Sequence, residues 1–389
     1  METKVLIVDV GNSKTKCYVF DVNPTRKYYD PINCLHEDVV PTPRQHPYDL
    51  VDTCSILIRK ALRAESVDVG MVTAFGDAFI HYDKSAKKPP YFVFADEPAD
   101  DLPEFAYNIN GWPRNFQLSS VRALQYKHKS AWQNMYSPNT WITSQLCGKE
   151  SDDPWNAWDI TQASISGLFD LKNQKWIYSP VFDPNAKRYK GGIVPPIASH
   201  KQVGRFDGIT FLAGGLDNAF VDTQDMNPYI VAGTWLVLGV PFDENYDATE
   251  FTDNRLNNTV RWLISGNGNY HAQVVRKVSN PITEAEKKQI LIDFEILGLE
   301  SRLEEDEDGF TQRVKPRVKV FGGYGEELAD ALQEMSRNID FYTVGPNERT
   351  DLYQHQMSAL FVHNHYRRKE RLASEKVRDA VYGVKHESL

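Results

Sequence analysis

Cysteine is scarce in this 389-residue chain, with four residues, Cys17, Cys34, Cys54 and Cys147, and no paired spacing among them. That excludes a disulfide framework and a thiolate zinc motif, and it suits a reducing compartment, so a cytoplasmic location is expected. Long apolar runs are lacking too. No stretch approaches the roughly 18 residues that a bilayer-spanning helix needs, and no signal-peptide pattern precedes Lys4, so no membrane partner is expected. There is no short-period repeat and no low-complexity tract. Positive charge is not in excess: 44 basic against 53 acidic residues leave a net charge of −9, which argues against nucleic acid as a partner for the surface as a whole. An anionic ligand would need local donors and a metal to offset that field.

What is present is a soluble globular composition, 41% hydrophobic, 25% charged and 12% aromatic. Single cores stop growing near roughly 250–300 residues, so two domains are expected. The polar stretch Asp225 to Pro228 marks the boundary, giving domains 1–226 and 227–389. Val5 to Val8 and Thr15 to Phe20 flank a Gly11-Asn12-Ser13 turn and predict a hairpin. Pro24 to Pro47 reads as a connection. Leu50, Cys54, Leu57, Ile58, Ala61 and Leu62 share one stripe and predict a helix over Tyr48 to Ala64. Short strands are expected at Val67 to Thr73, Phe79 to Tyr82, Tyr91 to Phe94 and Ile209 to Ala213. Leu118 to Cys147 reads as helical with a break at Pro138, and Trp132 and Trp141 as core.

Beyond the boundary, Tyr229 to Val231 and Leu236 to Val240 flank Gly233-Thr234-Trp235 and repeat the opening strand–turn–strand. The two domains are therefore expected to share an architecture. Glu284 to Leu303 reads as a helix with a solvated acidic end at Glu304 to Gly309. Val318 to Phe321 reads as a strand, Glu326 to Met335 as a helix, and Arg367 to Arg371 as a solvated helix face. His81, His128 and His271 show no metal spacing.

Four turns carry the chemistry. Asp9-x-Gly11 places one carboxylate beside backbone donors, a pattern that can hold phosphate with magnesium on Asp9; the plain alternative is an ordinary hairpin. Gly214-Gly215-x-Asp217 puts a carboxylate at a strand end where a ligand can approach, or else a helix N-cap. Gly233-Thr234 offers a second set of donors. Gly322-Gly323 leaves bare backbone between a strand and a helix, where a base and ribose can lie.

In this order the turns resemble those of the FGGY carbohydrate kinases, within the actin-like superfamily of two-domain phosphotransferases. Asp9-Val10-Gly11-Asn12-Ser13-Lys14-Thr15-Lys16 resembles the first phosphate motif. Val72-Thr73-Ala74-Phe75-Gly76-Asp77 is similar to the sugar-side segment of deoxy-sugar kinases, and Thr161-Gln162-Ala163-Ser164, Leu168-Phe169-Asp170 and Trp176 to the Asn-Ala-Ser segment. Gly214-Gly215-Leu216-Asp217-Asn218 matches the segment with the catalytic aspartate. Ala232-Gly233-Thr234-Trp235 resembles the second phosphate motif, its alanine most like the fuculokinase and rhamnulokinase branch, and Gly322-Gly323 the adenosine motif.

The resemblance implies an α/β fold of two ribonuclease-H-like (actin-like ATPase) domains with a cleft between them. It further implies ATP and Mg2+, a small sugar as substrate, and catalysis by Asp217. Asp9 would hold the metal. Gly11, Asn12, Ser13, Thr15, Lys16, Gly233, Thr234, Gly322 and Gly323 would hold the nucleotide, and Gly76, Asp77, Asp96 and Asn218 the sugar. A homodimer is one option for assembly.

There are departures. The lysine–tryptophan segment near Arg122 to Tyr126 is degraded. Phe94-Ala95-Asp96-Glu97-Pro98 lacks the usual arginine, and the second domain reads as shortened between Val240 and Phe321. The opening also resembles type III pantothenate kinases, which are shorter and do not explain the Trp176 or Gly322 segments. Two other classes stay open: a catalytically lapsed regulator that binds sugar or nucleotide, and an actin-like ATPase with a protein client.

Overall fold

In the computed structural model, residues 2–23, 32–76, 78–82, 89–94, 135–148, 158–167, 169–177, 196–233, 235–242, 260–279, 281–299, 302–305, 311–344 and 349–382 are described. Residues 118–134 of the expected helix and 306–309 of the expected acidic end lie outside those residues, as do Trp132 and His128.

The first sheet is built on β1 (Thr3–Val10) and β2 (Lys14–Val22), the expected hairpin, with Val10 opposite Thr15 and Asp9 opposite Lys16. β3 (Asn33–Pro41) pairs with β2 at the edge. This strand replaces part of the connection read from the sequence. Its residues alternate between exposed and half-buried, so no apolar run announces it. Helix α1 (Pro47–Ala64) follows, then β4 (Val69–Ala74), parallel to β1. β5 (Gln202–Phe206) and β6 (Ile209–Leu216) complete the order β5-β6-β4-β1-β2-β3.

Strands buried on both faces read as continuous apolar runs, and β1 is one. Leu6 and Val8 face Leu50, Cys54, Leu57 and Ile58 of α1. Val5 and Ile7 face the other way, into a cluster with Tyr18, Phe20, Ala359, Phe361 and Val362.

Two short helices stand near this sheet, α2 (Pro138–Leu146) and α3 (Ile160–Ser164). Pro138 starts α2 instead of breaking a longer helix, because a first-turn proline forfeits no intrahelical hydrogen bond. Before it, Met135–Tyr136 is a strand that pairs with Ala78–His81, which also pairs with Tyr91–Phe94.

The chain leaves the first sheet at Leu216 and enters the second at Tyr229. β7 (Tyr229–Ala232) and β8 (Trp235–Phe242) form its hairpin, followed by β9 (Val260–Ile264), β10 (Tyr270–Lys277), β11 (Arg317–Gly322) and β12 (Asp340–Thr343). The order is β9-β10-β8-β7-β11-β12. Three antiparallel strands, β10-β8-β7, are followed by two parallel ones, β11 and β12, just as β3-β2-β1 are followed by β4 and β6. The two halves are thus the same ribonuclease-H-like plan used twice.

α4 (Glu284–Ile296) is shorter than its sequence suggested. Gly298 turns left-handed at φ +77°, ending the helix, and Arg302–Glu305 is a strand paired with Thr311–Val314. α5 (Gly325–Met335) follows β11 as expected. α6 (Tyr353–Tyr382) starts beside β11 and returns to the first sheet through Ala359, Phe361 and Val362. No helix among the described residues is long and apolar enough to cross a membrane.

Candidate active site

The parallel strands of the first sheet end together, and their carboxyl ends are where open α/β sheets bind ligands. Asp9, Thr73 and Gly215 lie in register across β1, β4 and β6. Asp9 is 3% exposed, and Thr73 Oγ1 donates to its Oδ1 at 3.1 Å. β6 bulges at Gly214, which sits at φ +73° against the Val72 carbonyl oxygen; a Cβ there would overlap that oxygen. The bulge re-aims the strand so that Asp217 follows it at the rim. The Asp217 N–H donates to the Ala74 carbonyl at 3.0 Å, and the Asn218 N–H donates to Asp217 Oδ1 at 2.8 Å. Asn218 is 4% exposed, and its Oδ1 has no hydrogen-bond partner.

Both carboxyls resist ionisation. Burial pushes the Asp217 carboxyl up to about 7, and the charge of Asp9 adds to it, against the Asn218 N–H, Arg261 and Lys16. Burial likewise raises Asp9, opposed by Lys16 and by the Thr73 hydrogen bond. A buried Asp9 whose charge raises the half-buried Asp217 makes a site that a cation would relieve.

The turn after β1 is braced from within. The Gly11 N–H donates to the Lys14 carbonyl at 3.0 Å, and Thr42 Oγ1 donates to the Gly11 carbonyl at 2.7 Å. Thr15 is buried with its hydroxyl 3.0 Å from that of Thr42, so it supports the turn from beneath. Arg44 holds Asn12, its Nε donating to the Asn12 carbonyl at 2.8 Å and its guanidinium also reaching the side-chain oxygen. Ser13 is exposed at the corner, and Lys16 is half-buried on β2 opposite Asp9.

In the second sheet the equivalent strand ends carry glycines. Ala232 and Gly322 are in register, and Gly322 takes φ +107° with no room for a Cβ against the Ala232 carbonyl. Gly323 is exposed with open space beside it. Tyr324 Oη donates to the Gly233 carbonyl at 2.8 Å, tying the two glycine turns together, and Thr350 Oγ1 donates to the Gly322 carbonyl at 2.8 Å. Thr234, Asp77 and Asp96 lie outside the described residues. Gly76 is tightly packed, and a Cβ there would meet the side chains of Leu216 and Ile165. Trp235 is 37% exposed at the start of β8.

Three residues near the acids carried no signal in the sequence. Arg44 sits on a connection, and Arg261 and His355 come from strands and helices far along the chain. Arg261, 4% exposed on β9, donates from Nε to Gln273 Oε1 at 3.0 Å. It ends a buried polar chain in which Gln273 bonds Tyr229, Tyr229 bonds His271, and His271 Nε2 lies 3.3 Å from Asp222 Oδ2. His355, on α6, is 1% exposed and stacks on Tyr18 with centroids 4.7 Å apart. Its Nε2 has no hydrogen-bond partner and lies 3.7 Å from Asp9 Oδ2.

No protein-family model matches the sequence, and no curated protein matches it. Solved structures do. A gluconate kinase from Lactobacillus acidophilus superposes with a TM-score of 0.64 at 11% identity, covering 94% of this chain and 90% of that one. A xylulose kinase from the same organism gives 0.62 at 11%, covering 93% and 90%. The fold is that of the carbohydrate kinases. A xylulose kinase from Rhodospirillum rubrum superposes equally well, also at 0.62 and 11% identity over 93% and 90% of the two chains. At such identities the likeness concerns the fold, and the chemistry has to be argued from the site.

Proposed function

We propose that this protein is an ATP-dependent carbohydrate kinase that transfers the terminal phosphate to a hydroxyl of a small sugar, a ketose or deoxy-ketose such as fuculose, rhamnulose or xylulose. The observation that carries the reading is the acid pair. Asp9 and Asp217 are raised together at the carboxyl ends of parallel strands, on a fold whose second half repeats the same strand ends with bare glycine edges.

In this reading Asp217 accepts a hydrogen bond from the attacking hydroxyl and takes its proton late in transfer. A carboxyl poised near pH 7 is a better acceptor than an ordinary aspartate, which suits general-base work at neutral pH. The unpartnered Oδ1 of Asn218 is an acceptor for a second sugar hydroxyl. The Asn12–Ser13 corner with Arg44, together with Gly233 and Thr234, takes the phosphates. Gly322 and Gly323 border the adenosine. Lys16 and Arg261 offset negative charge beside the acids.

The donor set fits magnesium. Among the described residues no group of three or more His, Cys, Asp or Glu side chains converges on one point. A hard ion at Asp9 would rest on one or two protein donors with phosphate and water oxygens completing its shell, as magnesium commonly does with nucleotides. Bound there, it supplies charge neutralisation of the phosphate oxygens. A cation beside Asp9 would favour its ionised form against the burial that raises it.

The domain division at 226/227 fits this mechanism, since each half supplies one wall of the cleft and closure would exclude water. The test is ATP consumption across ketoses, alditols and deoxy sugars, with Asp217→Ala as control. Turnover with one sugar that the variant abolishes supports the kinase. Nucleotide binding without turnover on any sugar would replace it with a non-catalytic binding role.

A further inference from the structure

His355 is the one strongly buried group beside the acid pair, among the described residues, that the kinase reading leaves unused. Its imidazole is 1% exposed, held flat against Tyr18 at an interplanar angle of 26°, and therefore fixed in direction. Its Nε2 is unpartnered and faces Asp9 Oδ2 across 3.7 Å. That gap exceeds hydrogen-bond reach, which ends near roughly 3.2 Å for a nitrogen–oxygen pair. A polar atom left without a partner in the interior costs about 1–3 kcal/mol, so a buried nitrogen aimed at a carboxylate across a gap calls for a third atom between them.

Two facts say what that atom is. The other oxygen of Asp9 is already taken by Thr73 Oγ1, leaving Oδ2 as the free donor toward His355. Nε2 has no hydrogen-bond partner, so its lone pair is open to an ion in that gap. A carboxylate oxygen and a neutral imidazole nitrogen are the mixed donor set of a first-row divalent metal.

We infer that Asp9 Oδ2 and His355 Nε2 are joint protein ligands of the metal that accompanies the nucleotide, and that this nitrogen donor biases the site toward a nitrogen-accepting divalent ion such as Mn2+ over Mg2+. The inference rests on the kinase reading, because the metal is the one that enters with the phosphates. It also gives α6 a role. This helix begins beside the glycine edge of β11 and ends on the first sheet, so the ligand on it joins both halves of the site.

The experiment uses the full chain with Mn2+ and ADP. Electron spin echo modulation on the bound Mn2+ reports directly ligated 14N, and competition against Mg2+ reports the preference. The expected result is a 14N coupling in the wild type that is absent in His355→Gln, with the Mn2+/Mg2+ preference falling about tenfold in that variant. Mn2+–ADP bound without any 14N coupling would overturn the inference, and that outcome needs no variant to fold. An unchanged preference in a His355→Gln protein of normal melting temperature would overturn it too. In either case sugar phosphorylation that still depends on Asp217 leaves the kinase reading standing. Failure of the wild type to bind Mn2+–ADP at all sinks both.

Discussion

Replacing Asp217 by asparagine should move activity and stability in opposite directions. Asparagine keeps the oxygen that accepts the Asn218 N–H and keeps the volume, but it cannot take a proton from a sugar hydroxyl. Losing such a base costs about 10²–10⁴ in rate, or about 3–5 kcal/mol of transition-state stabilisation. Stability follows from linkage. The Asp217 carboxyl is raised from 3.8 to about 7 in the folded protein, so the folded state holds a proton that the unfolded state has lost. Its contribution is full below about pH 4 and is lost as pH rises through about 7.

Holding that carboxylate ionised in the fold at pH 8 costs at most about 4 kcal/mol relative to the unfolded chain. Because the side chain is partly open to solvent and its ionisation is tied to that of Asp9, a gain of about 1–2 kcal/mol is the expected size for the variant. In the wild type, kcat/KM should rise about tenfold per pH unit below 7 and level off above it. The assays are ATP turnover from pH 5 to 9 and thermal melting at pH 8. An Asp217→Asn protein that loses stability in parallel with activity would refute the reasoning, because that is how a turn-capping carboxylate behaves.

Other consequences can be measured separately. Tyr324→Phe removes a hydrogen bond to the Gly233 carbonyl worth about 1 kcal/mol, so KM for ATP should rise roughly fivefold while kcat changes little. Gly214→Ala forces a Cβ onto the Val72 carbonyl at positive φ, and urea unfolding should show a loss of at least about 3 kcal/mol. Burial alone would raise Asp222, yet the hydrogen bond and charge of His271, with Ser265 and Asn269, hold it at about 2. It therefore contributes stability above about pH 4 that is lost as pH falls through about 2, and Asp222→Asn should flatten the acid limb of the melting profile by about 2 kcal/mol.

Local physics made much of this protein readable from its residues. Val5 to Val8 could only be a strand covered on both faces, and the helical stripe from Leu50 to Ala61 could only be a helix against it. Asp9 and Asp217 stood out because a carboxylate at the end of an apolar run, beside glycines, has few structural uses. The repeated hairpin at Tyr229 foretold the doubled sheet order. β3 was not legible because an edge strand half open to solvent carries no apolar run, and α4 ended early because one left-handed glycine outweighed the polar helical pattern beyond it.

Other features were settled only by tertiary packing. Thr15 lies in the expected phosphate motif, yet its hydroxyl faces Thr42 across a strand pair that no local pattern announces. His355 meets Asp9 because a helix at the far end of the chain crosses back over the first sheet. The residues specify each strand, turn and carboxyl, since those depend on near neighbours. The pairing of two acids, and the ring aimed at one of them, depend on contacts between distant segments, which exist only once the chain has folded.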